Sequence, residues 1–159
     1  MKVCIYAICK NEAQFVDRWM DSMGEADCVV VTDTGSTDDT VERLRRRGAA
    51  VYSETISPWR FDMARNLALS HVPGDADICF STDLDEVLEA GWRAKLEAAW
   101  QPGTTRAHYH YTWSVGADGA PGVTFMYDHA HARHGSVWVN PVPKNEILAK
   151  VFYFCIRKR

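Results

Sequence analysis

Asp77-Ile78-Cys79-Phe80-Ser81-Thr82-Asp83-Leu84-Asp85-Glu86 is the stretch on which the fold turns. Residues 77–82 are a short apolar run set off by Pro73-Gly74-Asp75, the pattern of a strand covered on both faces, and they pass directly into carboxylates. In open α/β sheets ligands bind beyond the carboxyl ends of the strands, so Asp83 and Asp85 stand where a ligand would be met. Two carboxylates one residue apart repel unless a cation lies between them. A hard divalent ion that takes one or two protein carboxylates, with water and a diphosphate supplying the rest, suits this pattern. A solvated acidic loop capping the next helix suits it too, and the string alone does not choose.

Working outward, residues 3–9 form a second apolar run of β-formers. Residues 13–23 set Phe15 or Val16, Trp19, Met20 and Met23 at helical spacing, ending near Gly24. Residues 28–32 and 49–53 read as strands. Between them a loop over residues 33–40 enters a helix whose expected N-cap is Ser36 or Thr37, with Asp38 and Asp39 in its first turn and Gly48 as its stop. Residues 61–71 and 87–100 read as helices. This alternation predicts an α/β fold: a Rossmann-like, mostly parallel sheet with helices on both faces. After Thr104, residues 105–113 and 123–131 alternate as antiparallel strands do, and 137–139 and 148–156 read as further short strands. The expectation is one domain over 1–159, with a ligand-binding part at 1–103 and a short antiparallel part at 104–159.

Composition narrows the function. A chain of 159 residues that is 47% hydrophobic can bury one core, and a net charge of −3 gives no overall field drawing a polyanion such as DNA. The five cysteines are odd in number, lack CxxC spacing and sit mostly in apolar runs, which predicts reduced core thiols and a cytoplasmic protein. No run approaches the ~18 apolar residues of a membrane span. An apolar strand beside the basic tail Arg157-Lys158-Arg159 leaves peripheral contact with a membrane open, although a closing sheet strand explains it better.

Three further signals fall at strand ends or on a ligand-facing helix. In Asp33-Thr34-Gly35-Ser36-Thr37-Asp38 a capped loop explains every polar residue except Asp33, whose carboxylate could accept the N–H of a uracil-like base. Lys10-Asn11-Glu12 follows the first strand. In Ala64-Arg65-Asn66, Arg65 offers a planar fork of donors for a phosphate, or is an ordinary Arg on an exposed helix face.

Taken in order, Ala7-Ile8-Cys9-Lys10-Asn11-Glu12, residues 31–40, Trp59-Arg60-Phe61-Asp62-Met63-Ala64-Arg65-Asn66 and Asp83-Leu84-Asp85-Glu86 resemble the family 2 glycosyltransferases, in the branch with KNE, DTGSTD and ARN segments. That resemblance implies a GT-A fold, a nucleotide-diphosphate sugar donor with UDP-sugars favoured, a Mn²⁺ or Mg²⁺ ion, and inversion at the anomeric carbon. It implies that Ile8 and Asp33 contact the base, Asn11 orders the first loop, Arg65 approaches the diphosphate, Asp83 faces the ribose or metal, and Asp85 is the principal metal ligand. Residues 1–103 then hold the donor and 104–159 the acceptor side, the acceptor being a glycan, lipid, protein or modified nucleobase.

In that family a His-Glu pair often follows a Trp and a Pro-Val. Here residues 131–142 keep much of the pattern, but Pro143-Lys144-Asn145-Glu146 has no His before the Glu. That ligand is either lost or supplied by His129, His131 or His134, with His131 first by its spacing to Trp138, and the candidate bases are Glu146 and Asp128. The short second part reads as a minimal enzyme, a fragment, or a chain completed by a homo-oligomer. Two rivals remain: a relative that binds a nucleotide-sugar without transferring it, and an aspartyl-phosphate phosphatase of the DxDxV type with Asp83 as nucleophile and Asp85 as acid.

Overall fold

Every residue of β1 (Val3–Cys9) is buried, as a strand covered on both sides requires. The structure, a computed structural model, describes residues 1–139 and the backbone of 155–158. After β1 come α1 (Ala13–Ser22), β2 (Cys28–Asp33), α2 (Thr40–Arg46), β3 (Ala50–Ser53), α3 (Phe61–His71) and β4 (Ile78–Ser81). β5 (Glu86–Leu88), α4 (Trp92–Ala99), β6 (Arg106–Thr112), β7 (Thr124–Ala132) and β8 (Cys155–Lys158) complete the described elements. The strands form one sheet in the order β3-β2-β1-β4-β7-β6-β8-β5.

The first four strands are parallel, with Cys4 opposite Cys28, Val3 opposite Ile78 and Val30 opposite Ala50. β7 then pairs antiparallel to β4, with Cys79 opposite His131, and β6 antiparallel to β7. The two-residue period of β1 divides the core. Val3, Ile5 and Ala7 pack on the side of Val16 and Trp19 of α1, Leu44 of α2 and Leu96 of α4. Cys4, Tyr6 and Ile8 pack with Ala64, Ala68 and Leu69 of α3. Helices therefore cover both faces. β2 and β3 lie to one side of β1 and β4 to the other, so the chain changes direction between β1 and β4, where a crevice opens at the strand ends.

Four expectations are corrected. Residues 87–100 are not one helix: Glu86–Leu88 is a strand paired antiparallel with β8, and α4 begins after Gly91, which takes a left-handed φ of 79°. Long-range pairing overrides a locally helical pattern there. α2 starts at Thr40, because the Ser36 hydroxyl and the Thr37 N–H are engaged with Asn11 while an Asp38 carboxylate oxygen accepts the Thr40 N–H. Residues 137–139 form no strand, and of residues 148–156 those before 155 lie outside the described residues. Finally, Cys4 and Cys28 are joined in a disulfide, with Cys9 and Cys79 free and buried. Facing positions in adjacent strands bring Cys4 and Cys28 together, a proximity that cysteine spacing along the chain cannot show. Among the described residues no helix is long and apolar enough to cross a membrane.

Candidate functional site

The crevice at the β1/β4 reversal is a cleft of about 310 Å³. The end of β1 contributes Ile8, Cys9, Lys10 and Glu12, the turn after β2 contributes Thr34, and the loop after β4 contributes Asp83 and Asp85. Trp59 and Phe61, ahead of and at the start of α3, face them as an edge-to-face aromatic pair. The cleft thus has an acidic wall and an apolar wall.

The two loops on the β1 side are stitched together. Asn11 adopts φ 56°, a left-handed conformation that Asn tolerates better than most residues. From there its N–H donates to the Ser36 hydroxyl (2.9 Å) and its side-chain carbonyl accepts the Thr37 N–H (2.7 Å), while the Glu12 N–H donates to the Thr40 hydroxyl (2.8 Å). Asp33 belongs to the same framework. Only 3% exposed, it accepts the N–H groups of Gly35 (3.2 Å) and Ser36 (3.1 Å) and is approached by the Cys9 thiol. Burial, reinforced by the Asp33 carboxylate, pushes that thiol upward and keeps it protonated. The expectation that loop capping leaves Asp33 over is therefore corrected: Asp33 holds its own turn, and its neighbour Thr34 lines the cleft.

On the β4 side, Arg65 is 5% exposed on the inner face of α3, not on the outer face that the bland reading offered. Its Nη1 donates to Ser81 Oγ (2.6 Å) and its Nη2 to Asp83 Oδ1 (2.8 Å). The Asp83 side chain remains 44% exposed. The Asp83 N–H donates to Glu86 Oε2 (3.1 Å), which ties the acidic loop to β5. Glu86 itself is buried. Loss of water, with the Asp83 charge adding to it, pushes its carboxyl up to about 8. As a third acidic residue after Asp83 and Asp85 it carries no sign of burial in the sequence; the strand buries Glu86 and Leu88 and leaves Val87 between them half-buried.

Among the described residues no three His, Cys, Asp or Glu side chains converge as a closed metal site. The two carboxylates at the cleft, one of them held through Oδ1 by Arg65, instead fit an ion that draws its remaining ligands from water and a diphosphate.

The other expected site residues lie elsewhere. His131 is corrected as a metal ligand: Nδ1–H donates to the Ala132 carbonyl (2.8 Å), Nε2 accepts the Tyr6 hydroxyl (2.7 Å), and the ring is buried against the α3 side of the sheet, not at the cleft. Asp128, the other candidate base, is buried and ion-paired with Arg106 (2.9 Å), and it does not line the cleft. Glu146 lies outside the described residues.

Burial holds the His131 ring below its ordinary value of 6.5, at about 4. Between these values the unfolded chain takes up a proton that the folded chain refuses, so this contribution to stability is present above about pH 6.5 and is lost as the pH falls towards 4. We expect His131→Gln to reduce the acid-side slope of unfolding free energy by about 3 kcal/mol across that window, measured by urea denaturation. His129, also held low by burial, sustains part of the slope in the variant.

A reversal in strand order, an acidic cleft beyond it and an antiparallel extension past β4 together make the GT-A arrangement of glycosyltransferases. Among solved structures the chain is similar to S. aureus TarS, with a TM-score of 0.58 and 20% identity over 77% of this chain and 23% of that one. It is similar to glucosyl-3-phosphoglycerate synthase from Mycobacterium tuberculosis in complex with Mn²⁺, UDP and glucosyl-3-phosphoglycerate, with a TM-score of 0.58 and 22% identity over 69% of this chain and 44% of that one. The same synthase with Mg²⁺ and UDP gives a TM-score of 0.58 and 22% identity over 69% and 43%. The chain spans less than half the length of these proteins. No family model matches it.

Proposed function

We propose that the chain is the donor-binding part of a metal-dependent glycosyltransferase that moves a sugar from a nucleotide diphosphate, with a UDP-sugar favoured, and inverts the anomeric carbon. The observation that carries this reading is the juxtaposition, at one reversal of a GT-A sheet, of Asp83 and Asp85 with the buried fork of Arg65. The glucosyl-3-phosphoglycerate synthase structures, which contain UDP or UDP-glucose with Mn²⁺, favour uridine among the bases.

Asp85 is the principal residue to hold a Mn²⁺ or Mg²⁺ ion, with Asp83 beside it. When bound, the ion supplies Lewis-acid neutralisation of the departing diphosphate. Arg65 adds a fixed positive charge behind Asp83, already oriented, so little reorganisation is needed as negative charge grows on the leaving group. Ile8 and Thr34 border the β1 side, where the base would lie, and Asn11 and Asp33 hold the loops that shape it. Inversion needs a carboxylate on the face opposite the leaving group to take the acceptor proton. With Asp128 held by Arg106, Glu146 is the base we carry forward. Residues 1–103 hold the donor in this reading and 104–159 the acceptor side.

A thermal-shift series of nucleotide-sugars with and without Mn²⁺ tests the assignment. At a concentration near 100 Kd, a UDP-sugar should raise Tm by about 5–10 °C with Mn²⁺ present and far less after chelation. No Mn²⁺-dependent shift with any nucleotide would remove the donor-site reading. Tight binding with no hydrolysis or transfer would leave a nucleotide-sugar-binding protein.

A further inference from the structure

Beyond β7 the chain runs back along α3. Arg133 donates to the carbonyls of Val72 and Pro73 at the C-terminal end of that helix. Further along, Asn66 grips the backbone of Trp138 from both sides: Nδ2 donates to the Trp138 carbonyl (2.8 Å) and Oδ1 accepts the Trp138 N–H (2.8 Å). The indole is fixed as well. Its Nε1–H donates to the Tyr6 hydroxyl (2.7 Å), and its ring meets His129 edge-to-face at 4.9 Å.

The indole face thus held lies 5.0 Å from the Arg65 guanidinium carbon. Arg65 spends its two terminal nitrogens on Ser81 and Asp83, and its buried Nε has no hydrogen-bond partner among the described residues. An aromatic face attracts a guanidinium, so the indole adds a hold on the Arg65 fork beyond its two hydrogen bonds. Without that face, a long side chain with several rotatable bonds would have room to turn away from one of its two acceptors.

We propose that Trp138 is a positioning residue: its ring holds the Arg65 fork flat so that Ser81 and Asp83 are engaged together, and it thereby sets the acidic wall of the cleft. Asn66 is the clamp that delivers the ring. The ligand-free part of this inference stands on geometry alone, whereas its effect on donor affinity rests on the proposed function.

The test uses the full chain with Trp138→Leu, Trp138→Phe, Asn66→Ala and Tyr6→Phe. In ligand-free protein, the Arg65 Nε–Hε resonance, assigned by its loss in Arg65→Lys, should be shifted by the indole ring current. It should keep most of that shift in Trp138→Phe, lose part of it in Asn66→Ala and lose it in Trp138→Leu. By calorimetry, Trp138→Leu should bind Mn²⁺-UDP about tenfold more weakly while uridine alone is little changed, with Trp138→Phe restoring most of the loss. Tyr6→Phe keeps the ring but removes the acceptor of the indole Nε1–H, so it should move the Arg65 resonance and lower the ratio of UDP to uridine affinity only part-way, as Asn66→Ala does.

An unshifted Arg65 resonance in the wild type, or one indifferent to Trp138→Leu, overturns the proposal. So does a Tyr6→Phe variant whose UDP-to-uridine ratio falls as far as that of Trp138→Leu, since packing alone would then account for the effect. Should Trp138→Leu fail to fold, Asn66→Ala and Trp138→Phe decide by the same readouts. A wild-type protein with no affinity for Mn²⁺-UDP sinks the donor reading, and the resonance then judges the positioning role by itself.

Discussion

Asp85→Ala is expected to abolish Mn²⁺-dependent binding of UDP and to leave the fold intact. Asp85 lines the cleft beside Asp83, whose Oδ1 accepts from Arg65, and in the proposed function it is the principal ligand of the ion. A divalent ion bound through only one or two protein carboxylates has little to replace either of them. Asp85 also stands outside both apolar clusters, so its truncation should move Tm by no more than about 2 °C, as for a substitution remote from the core. Calorimetry of UDP with and without Mn²⁺ reads the first effect and a melt reads the second. Unchanged, metal-dependent affinity would place the ion elsewhere.

Arg65→Met should have the next largest effect. Methionine keeps much of the apolar stem that packs inside α3 but removes the fork, leaving the Ser81 hydroxyl without its donor and Asp83 without its counter-charge. Hydrogen bonds to charged groups contribute roughly 1.5–3 kcal/mol each, so Mn²⁺-UDP should bind about 30- to 100-fold more weakly. Stability should fall by a comparable amount. Asp83 is close to half exposed and remains hydrated, and the uncompensated cost is confined to one buried hydroxyl, about 1–3 kcal/mol by denaturant titration. Arg65→Lys should recover little, because a single ammonium cannot span both acceptors in the guanidinium's plane. Wild-type affinity in Arg65→Met would detach this residue from the diphosphate.

The parallel half of the fold was legible because its signals are local. The apolar runs of β1, β2 and β4 are buried on both faces, and the Phe61–His71 helix has the bounds its spacing predicts. What escaped depends on partners distant in the chain. Val87 and Leu88 look helical until β8 pairs with Glu86–Leu88, and Cys4 and Cys28 look like separate thiols until parallel register sets them side by side.

The same division runs through the site. Asp83 and Asp85 are readable as strand-end residues and Ile8 only through the family resemblance, and all three line one cleft. Asp33 was placed on the right loop, but its carboxylate is taken up by the turn's own N–H groups, a local demand that any tight loop makes on an acidic residue entering it. His131 ranks first by its spacing to Trp138, and spacing along an antiparallel strand does not say which face of the sheet a ring takes. The ring points into the sheet's α3 side and meets Trp138 through the Tyr6 hydroxyl. Glu86 was hidden by the company it keeps, since an acidic residue beside two others reads as solvated until a strand buries it.

The most direct test is a crystal of the chain soaked in Mn²⁺ and UDP, with the metal located by anomalous scattering. The account predicts one strong peak at about 2 Å from a carboxylate oxygen of Asp85, with the diphosphate completing its coordination and the uracil towards Ile8 and Thr34. UDP bound with no metal at Asp83 or Asp85, or manganese bound only elsewhere on the chain, would contradict it.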